Sequence, residues 1–299
     1  MSNKAKRILN NVLLVIFITI FLISGFLLLR YYLNSRKQQG KFDSLSDIVA
    51  QAATEEPPEI PEGTGPIALQ GPEIELVPAA NSETGEIEMV LPEYKALYEM
   101  NSDLVGWMHL EDTKIDYPVM QTPTVNEYYL HKNFEKEYSV HGCYFVSGFC
   151  DVFAPSDNVT VYGHNMRDGS MMAPLHKYEK KEFFDTHQEI TFNTLKERHK
   201  YQVFAIFKTS ANEAQGFAYQ RFIDAADQAD FDQFVQTCKD LSLYDTGITP
   251  QYGDKLITLS TCDYTVSNGR LVVVASRIPK GEEVPDPTEA VIPTDSKES

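Results

Sequence analysis

An uninterrupted apolar run near the N-terminus constrains this chain more than any other feature. Val12–Leu29 comprises eighteen residues and carries no charged side chain. That is about the length a helix needs to cross the ~30 Å hydrocarbon core of a bilayer. A cleavable signal peptide is the alternative, but its apolar core is usually shorter and ends at small residues, whereas this run ends at LLLRYYLNSR. The pattern predicts one transmembrane signal anchor over residues 12–30, after a short basic segment over residues 1–11. Basic residues flank the run on both sides, so charge alone does not decide the orientation.

Charge is distributed unevenly along the rest of the chain, whose formal net charge is -17. Twelve acidic and no basic side chains lie between Lys41 and Lys95, together with seven prolines. Such a segment buries too little apolar surface to offset the entropy lost on ordering. We therefore expect an acidic, proline-rich linker over residues 31–91, behaving as an extended tether, and a disordered acidic tail over residues 281–299. The acidic excess also argues against nucleic-acid binding, which depends on Lys and Arg.

Residues 92–280 have the composition of one globular domain, with most of the Tyr and the only Trp. A short helix is predicted at Pro92–Met100, and an amphipathic helix at about residues 227–241 from apolar residues three and four positions apart. Many strands and few helices predict a mainly β barrel or sandwich with peripheral helices. The strand-like runs are LVGWMHL, KIDYPVM, GCYFV, NVTVYGH, EITFN, YQVFAIFKTS, KLITLST and RLVVVAS.

The four cysteines have no zinc-binding spacing, so we expect no structural metal. Cys238 lies on the apolar face of the amphipathic helix and is most simply a core residue. Cys143 and Cys150 flank a strand, and a disulfide between them is a minor alternative. Cys262 follows the run LITLST at a strand end, where a scaffold can present a nucleophile. A buried thiol is an equally good interpretation of its position alone.

His164 has the most suggestive setting of the seven histidines, because it follows a strand and Gly163 in VTVYGHNM. Cysteine and histidine together are the minimum for thiol nucleophilic catalysis. Arg270 opens the strand after Cys262, so in a hairpin it would return beside the thiol as an oxyanion-stabilising cation. Arg277 on the same strand is the competing candidate. A solvated surface group is the simpler interpretation for each remaining histidine.

These residues together resemble the signature of the sortases, in the motif TLSTC, in Arg270 at the head of LVVVAS and in YGHNM. The stretch DLVGWMHLEDTKIDYPVMQ, the helix before Trp107 and the helix preceding the cysteine strand resemble class B. The resemblance implies an eight-stranded sortase-type β-barrel as the catalytic domain over residues 92–280. It also implies that Cys262 is the nucleophile, His164 the general acid/base and Arg270 the cation that orients substrate. By the same resemblance, the residues lining the sorting-signal groove are Asn126, Leu130 and Ser260.

The resemblance implies a membrane-anchored cysteine transpeptidase of a Gram-positive cell surface. Its partners would be secreted proteins with a C-terminal sorting signal, a peptidoglycan stem or cross-bridge amine, and the membrane through residues 12–30. The implied reaction cleaves the substrate after Thr through a thioester, outside the membrane, and needs no metal or cofactor. It requires an N-in, C-out anchor, with residues 1–11 cytoplasmic and the linker over residues 31–91 extracytoplasmic. We expect the thiolate–imidazolium pair to be a minor population at neutral pH. The alternatives are an envelope cysteine peptidase that hydrolyses and a non-catalytic wall-binding module. Asp263, next to Cys262, is interpreted as a loop or capping residue.

Overall fold

The structure is a computed structural model that describes residues 3–54, 76–122, 124–212, 214–265 and 268–281. The chain divides into two compact units, Met1–Ser44 and Leu45–Ser299. Helix α1 spans Asn3–Thr54. Its apolar side chains from Val12 to Leu29 are exposed around the helix rather than buried in protein. A helix that is apolar all round suits a lipid environment, so α1 is long and apolar enough to cross a membrane, as the sequence predicted.

The linker expected over residues 31–91 differs from the structure at both of its ends. Helix α1 continues to Thr54, because the stretch before Pro57 contains no proline to interrupt it. At the other end of this stretch, β1 (Val77–Ala80) and β2 (Ile87–Val90) form an antiparallel hairpin. The hairpin leads into Leu91, which is fully buried and whose N–H donates to Leu195 O. The expectation of an extended chain is therefore wrong for these two stretches. Residues 55–75 and all of the expected tail except Gly281 lie outside the described residues.

The remaining strands close into a barrel of eight, in the order β10-β8-β7-β3-β4-β5-β6-β9. This closure decides between the barrel and the sandwich that the sequence left open, and each strand lies within or overlaps one of the predicted strand-like runs. The strands are β3 (Leu104–His109), β4 (Asp116–Met120), β5 (Tyr144–Val146), β6 (Asn158–Tyr162), β7 (Glu189–Thr194), β8 (Lys200–Ser210), β9 (Leu256–Asp263) and β10 (Gly269–Arg277).

The helices of the domain lie outside the barrel. They are α2 (Lys95–Met100), which follows a 3-10 turn, α3 (Lys181–Thr186) and α4 (Gln228–Leu241). The side chain of Asp227 caps α4 by accepting a hydrogen bond from the N–H of Asp230. Phe231, Phe234 and Cys238 on the buried face of α4 pack in one cluster with apolar residues of β8 and β10. The amphipathic helix and the core position of Cys238 are therefore confirmed.

Two strand pairings determine where the chemistry of this chain is located. β6 pairs parallel with β9, and β9 pairs antiparallel with β10. Parallel neighbours end at the same edge of a sheet, so the residues that follow β6 meet the end of β9 although the two strands are far apart in sequence. The antiparallel pairing then brings the start of β10 back to the same edge.

Candidate active site

The ends of β6 and β9 bring His164 and Cys262 to one rim of the barrel. Tyr162, the last residue of β6, lies beside Ser260 of β9, and His164 and Cys262 each follow two positions later. The hydroxyl of Thr261 donates to Gly163 O at 2.8 Å, which ties the two strand ends together. A Cβ on Gly163 would approach side-chain atoms of Met172 and Tyr144 to about 2.8 Å, so only glycine fits here without a shift. The glycine before the histidine is thus a packing requirement.

Arg270 occupies the register position directly opposite Cys262 in the β9–β10 pair. Side chains directly opposite each other in an antiparallel pair lie on the same face, with Cβ atoms about 5 Å apart. The Arg270 guanidinium donates from Nη1 to Gly269 O at 2.9 Å. Asn268, in the turn before the strand, has a φ of 54°, a left-handed conformation that Asn tolerates. Arg277 lies at the opposite end of β10, so the geometry favours Arg270 as the cation beside the thiol.

A cleft of about 380 Å³ contains all six of the residues singled out from the sequence. All four cysteines are free thiols. Cys262 is partly exposed in this cleft, whereas the other three are buried. Burial raises the pKa of the Cys143 and Cys150 thiols, and no disulfide joins the two cysteines in the structure. The residues brought together are His164, Cys262, Arg270, Asn126, Leu130 and Ser260.

The backbone of Leu130 determines which nitrogen of His164 carries a proton. Nε2 of His164 lies 2.8 Å from Leu130 O, and a carbonyl oxygen only accepts, so Nε2 donates. In the neutral ring Nδ1 is then the nitrogen that can take up a proton. The His131 ring stacks on His164 with centroids 5.6 Å apart. Burial lowers the pKa of His164, with a smaller contribution from the neighbouring His131, and outweighs the hydrogen bond to Leu130 that favours the charged form.

We expect His164 to titrate below the ordinary histidine value of 6.5, so that the neutral imidazole predominates at pH 7. His109 provides the matched control, because its hydrogen bond to Asp116 raises the pKa of that imidazole. NMR titration of histidine-labelled chain, with His164→Gln used to assign the resonance, measures both. A His164 midpoint above that of His109 would contradict the electrostatics described here.

Two of the residues expected to line a groove, Asn126 and Ser260, already use part of their hydrogen-bonding capacity. Asn126 accepts from the Gly148 N–H through Oδ1 at 2.6 Å, which leaves its amide nitrogen as a donor. Ser260 is nearly buried, and its hydroxyl lies 2.6 Å from the hydroxyl of Tyr219. Tyr219 also lines the cleft. The sequence did not single it out, because it lies on a short 3-10 turn with no periodic pattern.

A polar network behind Cys262 was also missed from the sequence. The amide of Asn165 donates to Cys262 O at 2.9 Å and to Nε2 of His176 at 2.8 Å. Nδ1 of His176 in turn donates to Glu179 at 2.6 Å. Asn165 directly follows His164, and this adjacency is the one signal that could have drawn attention to it. The network therefore holds the backbone of β9 at Cys262 through its carbonyl oxygen.

Asp263 belongs to the same network as a structural anion. Its carboxylate is almost fully buried and pairs with Lys208 of β8 at 2.8 Å, and Lys208 also contacts Glu179. Burial raises the pKa of Asp263, but Lys208 and the N–H of Thr265 outweigh it and lower that pKa to about 2. Asp263 is the last residue of β9, and its Oδ1 accepts from the N–H of Thr265 at 2.7 Å, so it is a capping residue at the strand end rather than a loop residue. Because its carboxylate is occupied by Lys208 and Thr265, Asp263 is not a candidate for a third catalytic residue.

Replacing Lys208 by methionine should lower the free energy of unfolding by about 3 kcal/mol at pH 7, because it leaves a buried carboxylate without its cation. The depressed pKa of Asp263 adds stability above its unfolded value of 3.8, and this is lost as pH falls through about 2. Urea unfolding between pH 2 and 7 measures both effects. Lys200→Met is the matched control, since its pair with Glu189 is exposed and should change stability by less than ~1 kcal/mol. Equal losses in both variants would contradict a structural anion at Asp263.

Within the described ranges, no three His, Cys, Asp or Glu side chains are grouped closely enough to hold a metal ion. The expectation that the chemistry uses no metal or cofactor stays a prediction.

Comparison with known proteins gives one consistent result. Residues 108–278 match the sequence model of the sortase domain. Sortase B of Listeria monocytogenes is 32% identical over 209 residues, which is 68% of this chain and 79% of that protein. Sortase B of Staphylococcus aureus is 33% identical over 193 residues, or 64% of this chain and 77% of that protein.

Solved structures agree with these sequence relatives. A Staphylococcus aureus sortase B–substrate complex superposes with a TM-score of 0.66 and 26% identity, covering 82% of this chain and 98% of that one. Sortase B from Bacillus anthracis in complex with AAEK1 gives a TM-score of 0.63 and 28% identity, over 83% and 99% of the two chains. With its closed eight-stranded barrel and a cysteine at the rim, the chain belongs to the sortase family of cysteine transpeptidases and is of class B.

Proposed function

We propose that this transpeptidase cleaves a C-terminal sorting signal after Thr and transfers the substrate protein to an amine of the peptidoglycan stem or cross-bridge. The observation that carries the proposal is the meeting of His164, Cys262 and Arg270 at the rim of one cleft. The roles assigned are nucleophile for Cys262, general acid/base for His164 and oxyanion-stabilising cation for Arg270. Asn126, Leu130 and Ser260 are proposed to line the path of the sorting signal.

The first half-reaction forms a thioester. Nδ1 of His164 accepts the thiol proton as the sulfur of Cys262 bonds to the carbonyl carbon of the substrate Thr. The Arg270 guanidinium stabilises the negative oxygen of the tetrahedral intermediate. The scissile C–N bond then breaks, and the imidazolium of His164 gives its proton to the departing amide nitrogen. Because its pKa is lowered, the His164 ring is neutral at pH 7 and can accept the thiol proton. Once protonated, it is a stronger acid than an ordinary imidazolium and gives up the proton more readily.

The second half-reaction returns the enzyme to its starting state. The acceptor amine attacks the thioester carbon and loses a proton to His164. The C–S bond breaks and the proton returns to the sulfur of Cys262, so no oxidant or reductant is consumed. A deacylation by water would follow the same path and release a free acid, which is the outcome expected of a hydrolytic peptidase.

The test uses the detergent-solubilised full chain with a pool of sorting-signal peptides and candidate wall amines, with products identified by mass spectrometry. We expect cleavage after Thr, a peptide adduct on Cys262 and joining of the acyl fragment to one amine in preference to water. Products that are hydrolysed whatever amine is present would overturn the transfer step. Cleavage at a different residue would overturn the proposed substrate.

The location of the acceptor supports an N-in, C-out orientation of the anchor over residues 12–30, with the catalytic domain over residues 92–280 outside the cell. Basic residues flank the apolar run on both sides, so the charge rule alone does not decide the orientation. Trypsin added to intact protoplasts should digest the catalytic domain without lysis. Protection of the domain until the membrane is permeabilised would reverse the assignment.

A further inference from the structure

The ring of His131 lies against the imidazole of His164 in an offset stack. The two ring centroids are 5.6 Å apart and the ring planes differ by 25°. His131 is exposed to solvent, whereas His164 is only partly exposed. Tyr138, itself 72% exposed, contacts His131 in turn, with centroids 6.2 Å apart. Two surface rings thus adjoin His164, and neither of them lines the cleft.

The backbone that carries His131 is fixed by contacts on both sides. His131 is the last residue of a 3-10 turn, and its carbonyl oxygen accepts from the Ser139 N–H at 3.0 Å. Two residues earlier, Tyr129 is fully buried. Between them, Leu130 O accepts the hydrogen bond from Nε2 of His164 at 2.8 Å. One short turn therefore provides both the hydrogen bond and the ring that contact His164, so little conformational entropy is lost in forming the stack.

A hydrogen bond at Nε2 alone does not fix the plane of the His164 ring. The χ2 torsion of histidine is broad, so a ring held at one nitrogen can still turn about that contact. A stacked ring limits this rotation, because tilting the imidazole would lose the contact on one side and cause a steric clash on the other. The direction of Nδ1 is then fixed as well, and the efficiency of proton transfer depends on that direction.

His131 also acts on the charge of His164. A ring stacked on the imidazole excludes water from one face and so disfavours its charged form, and a protonated His131 would repel a second positive charge. Both effects act in the direction found for His164, whose pKa is lowered by burial and by His131. The other titratable group that acts on His164 is His141, whose Nε2 lies 3.3 Å from Asp168. Uncovering His164 should therefore raise its pKa.

We propose that His131 is a positioning residue for His164, whose stacked ring holds Nδ1 of His164 in the orientation that takes up the thiol proton. The inference rests on the proposed function, because that function makes His164 the general acid/base. His131 exchanges no proton with the substrate in this scheme. What the position requires is a flat ring, and the charge of the imidazole is secondary.

The kinetic test compares His131→Ala with His131→Phe in the full chain. His131→Ala should lower kcat about tenfold and leave KM within about twofold, because His131 contacts His164 but does not line the cleft. The acid limb of its kcat/KM profile, which reports the pKa of the base, should move up by about half a pH unit. His131→Phe keeps a ring without a charge and should retain kcat within about twofold. His109→Ala is the matched control, since the His109 side chain is 48% exposed and lies outside the cleft, and it should change neither quantity.

NMR of the histidine-labelled chain tests the stack without any turnover. In the wild type and in His131→Phe we expect the Nε2-protonated tautomer of His164, as the hydrogen bond to Leu130 O requires. In His131→Ala we expect a mixture of tautomers, because the ring is free to turn, and a higher titration midpoint. Equal losses of kcat in the alanine and phenylalanine variants would contradict the requirement for a ring. An unchanged kcat together with an unchanged midpoint in His131→Ala would refute the inference.

The two measurements separate this inference from the proposed function. A His164 resonance that shifts in His131→Ala, in a chain that cleaves no peptide, would support the stack and sink the reaction. Normal turnover with the same kcat and the same His164 midpoint in the wild type and both His131 variants would sink the inference alone.

Discussion

Replacing Cys262 by alanine is expected to lower kcat/KM for peptide cleavage by at least ~10⁴-fold and to abolish the covalent peptide adduct. In the proposed mechanism the sulfur forms the bond that replaces the scissile amide, and no other residue lining the cleft has a thiol. The thiol is also the only one of the four that reaches solvent, so limited iodoacetamide treatment should modify Cys262 alone. Initial rates and intact-mass spectrometry measure both outcomes.

Cys238→Ala is the matched control for this prediction. Cys238 is fully buried on the inner face of α4, and burial raises the pKa of its thiol. Its replacement should cost about 1 kcal/mol of stability and leave the adduct and the rate in place. Cleavage by Cys262→Ala at a rate within tenfold of the wild type would refute covalent catalysis at this position.

Arg270→Ala is expected to lower kcat by about 10²- to 10³-fold with a smaller change in KM. A fixed cation beside the sulfur stabilises the oxyanion more than it stabilises the neutral carbonyl, so its loss appears mainly in kcat. Arg270→Lys should recover only part of the rate, because a lysine ammonium does not reproduce the planar donor geometry. Steady-state kinetics on the full chain distinguish the three proteins.

Arg277→Ala tests whether any arginine on β10 would have the same effect. Arg277 lies at the far end of the strand, opposite Tyr201 rather than Cys262, and should leave kcat within about twofold. A loss of rate in Arg277→Ala equal to that in Arg270→Ala would mean that strand stability, and not a local charge, explains the effect. An unchanged kcat in Arg270→Ala would remove the arginine from the mechanism.

The strands and the long helix could be predicted because their signals are local. Alternating and β-branched runs between turn residues predicted β3 to β10, and eighteen uncharged residues predicted α1. The error over residues 31–91 has the opposite cause. Acidic composition was averaged over a stretch whose first part is helix-forming and whose last part docks through Val90 and Leu91, both fully buried.

Some residues of the candidate site could be predicted from a local sequence pattern, and others could not. His164, Cys262 and Arg270 stand beside strand ends and turn residues, so a sequence pattern could point to each of them. Tyr219, His176 and Lys208 could not be found, because they come from two 3-10 helical segments and from within strand β8, where no turn signal stands beside them. Each acquires its role only through a partner that is far away in the chain.

The sequence by itself determined the elements of this protein and the chemical types at their ends, because helix and strand formation depend on neighbouring residues. Only the tertiary structure decided that a parallel pairing of β6 with β9 places His164 next to Cys262, across nearly a hundred residues. It also decided which nitrogen of His164 carries the proton, through the carbonyl of Leu130. These are relations between distant segments, and they arise only when closure of the barrel brings those segments into contact.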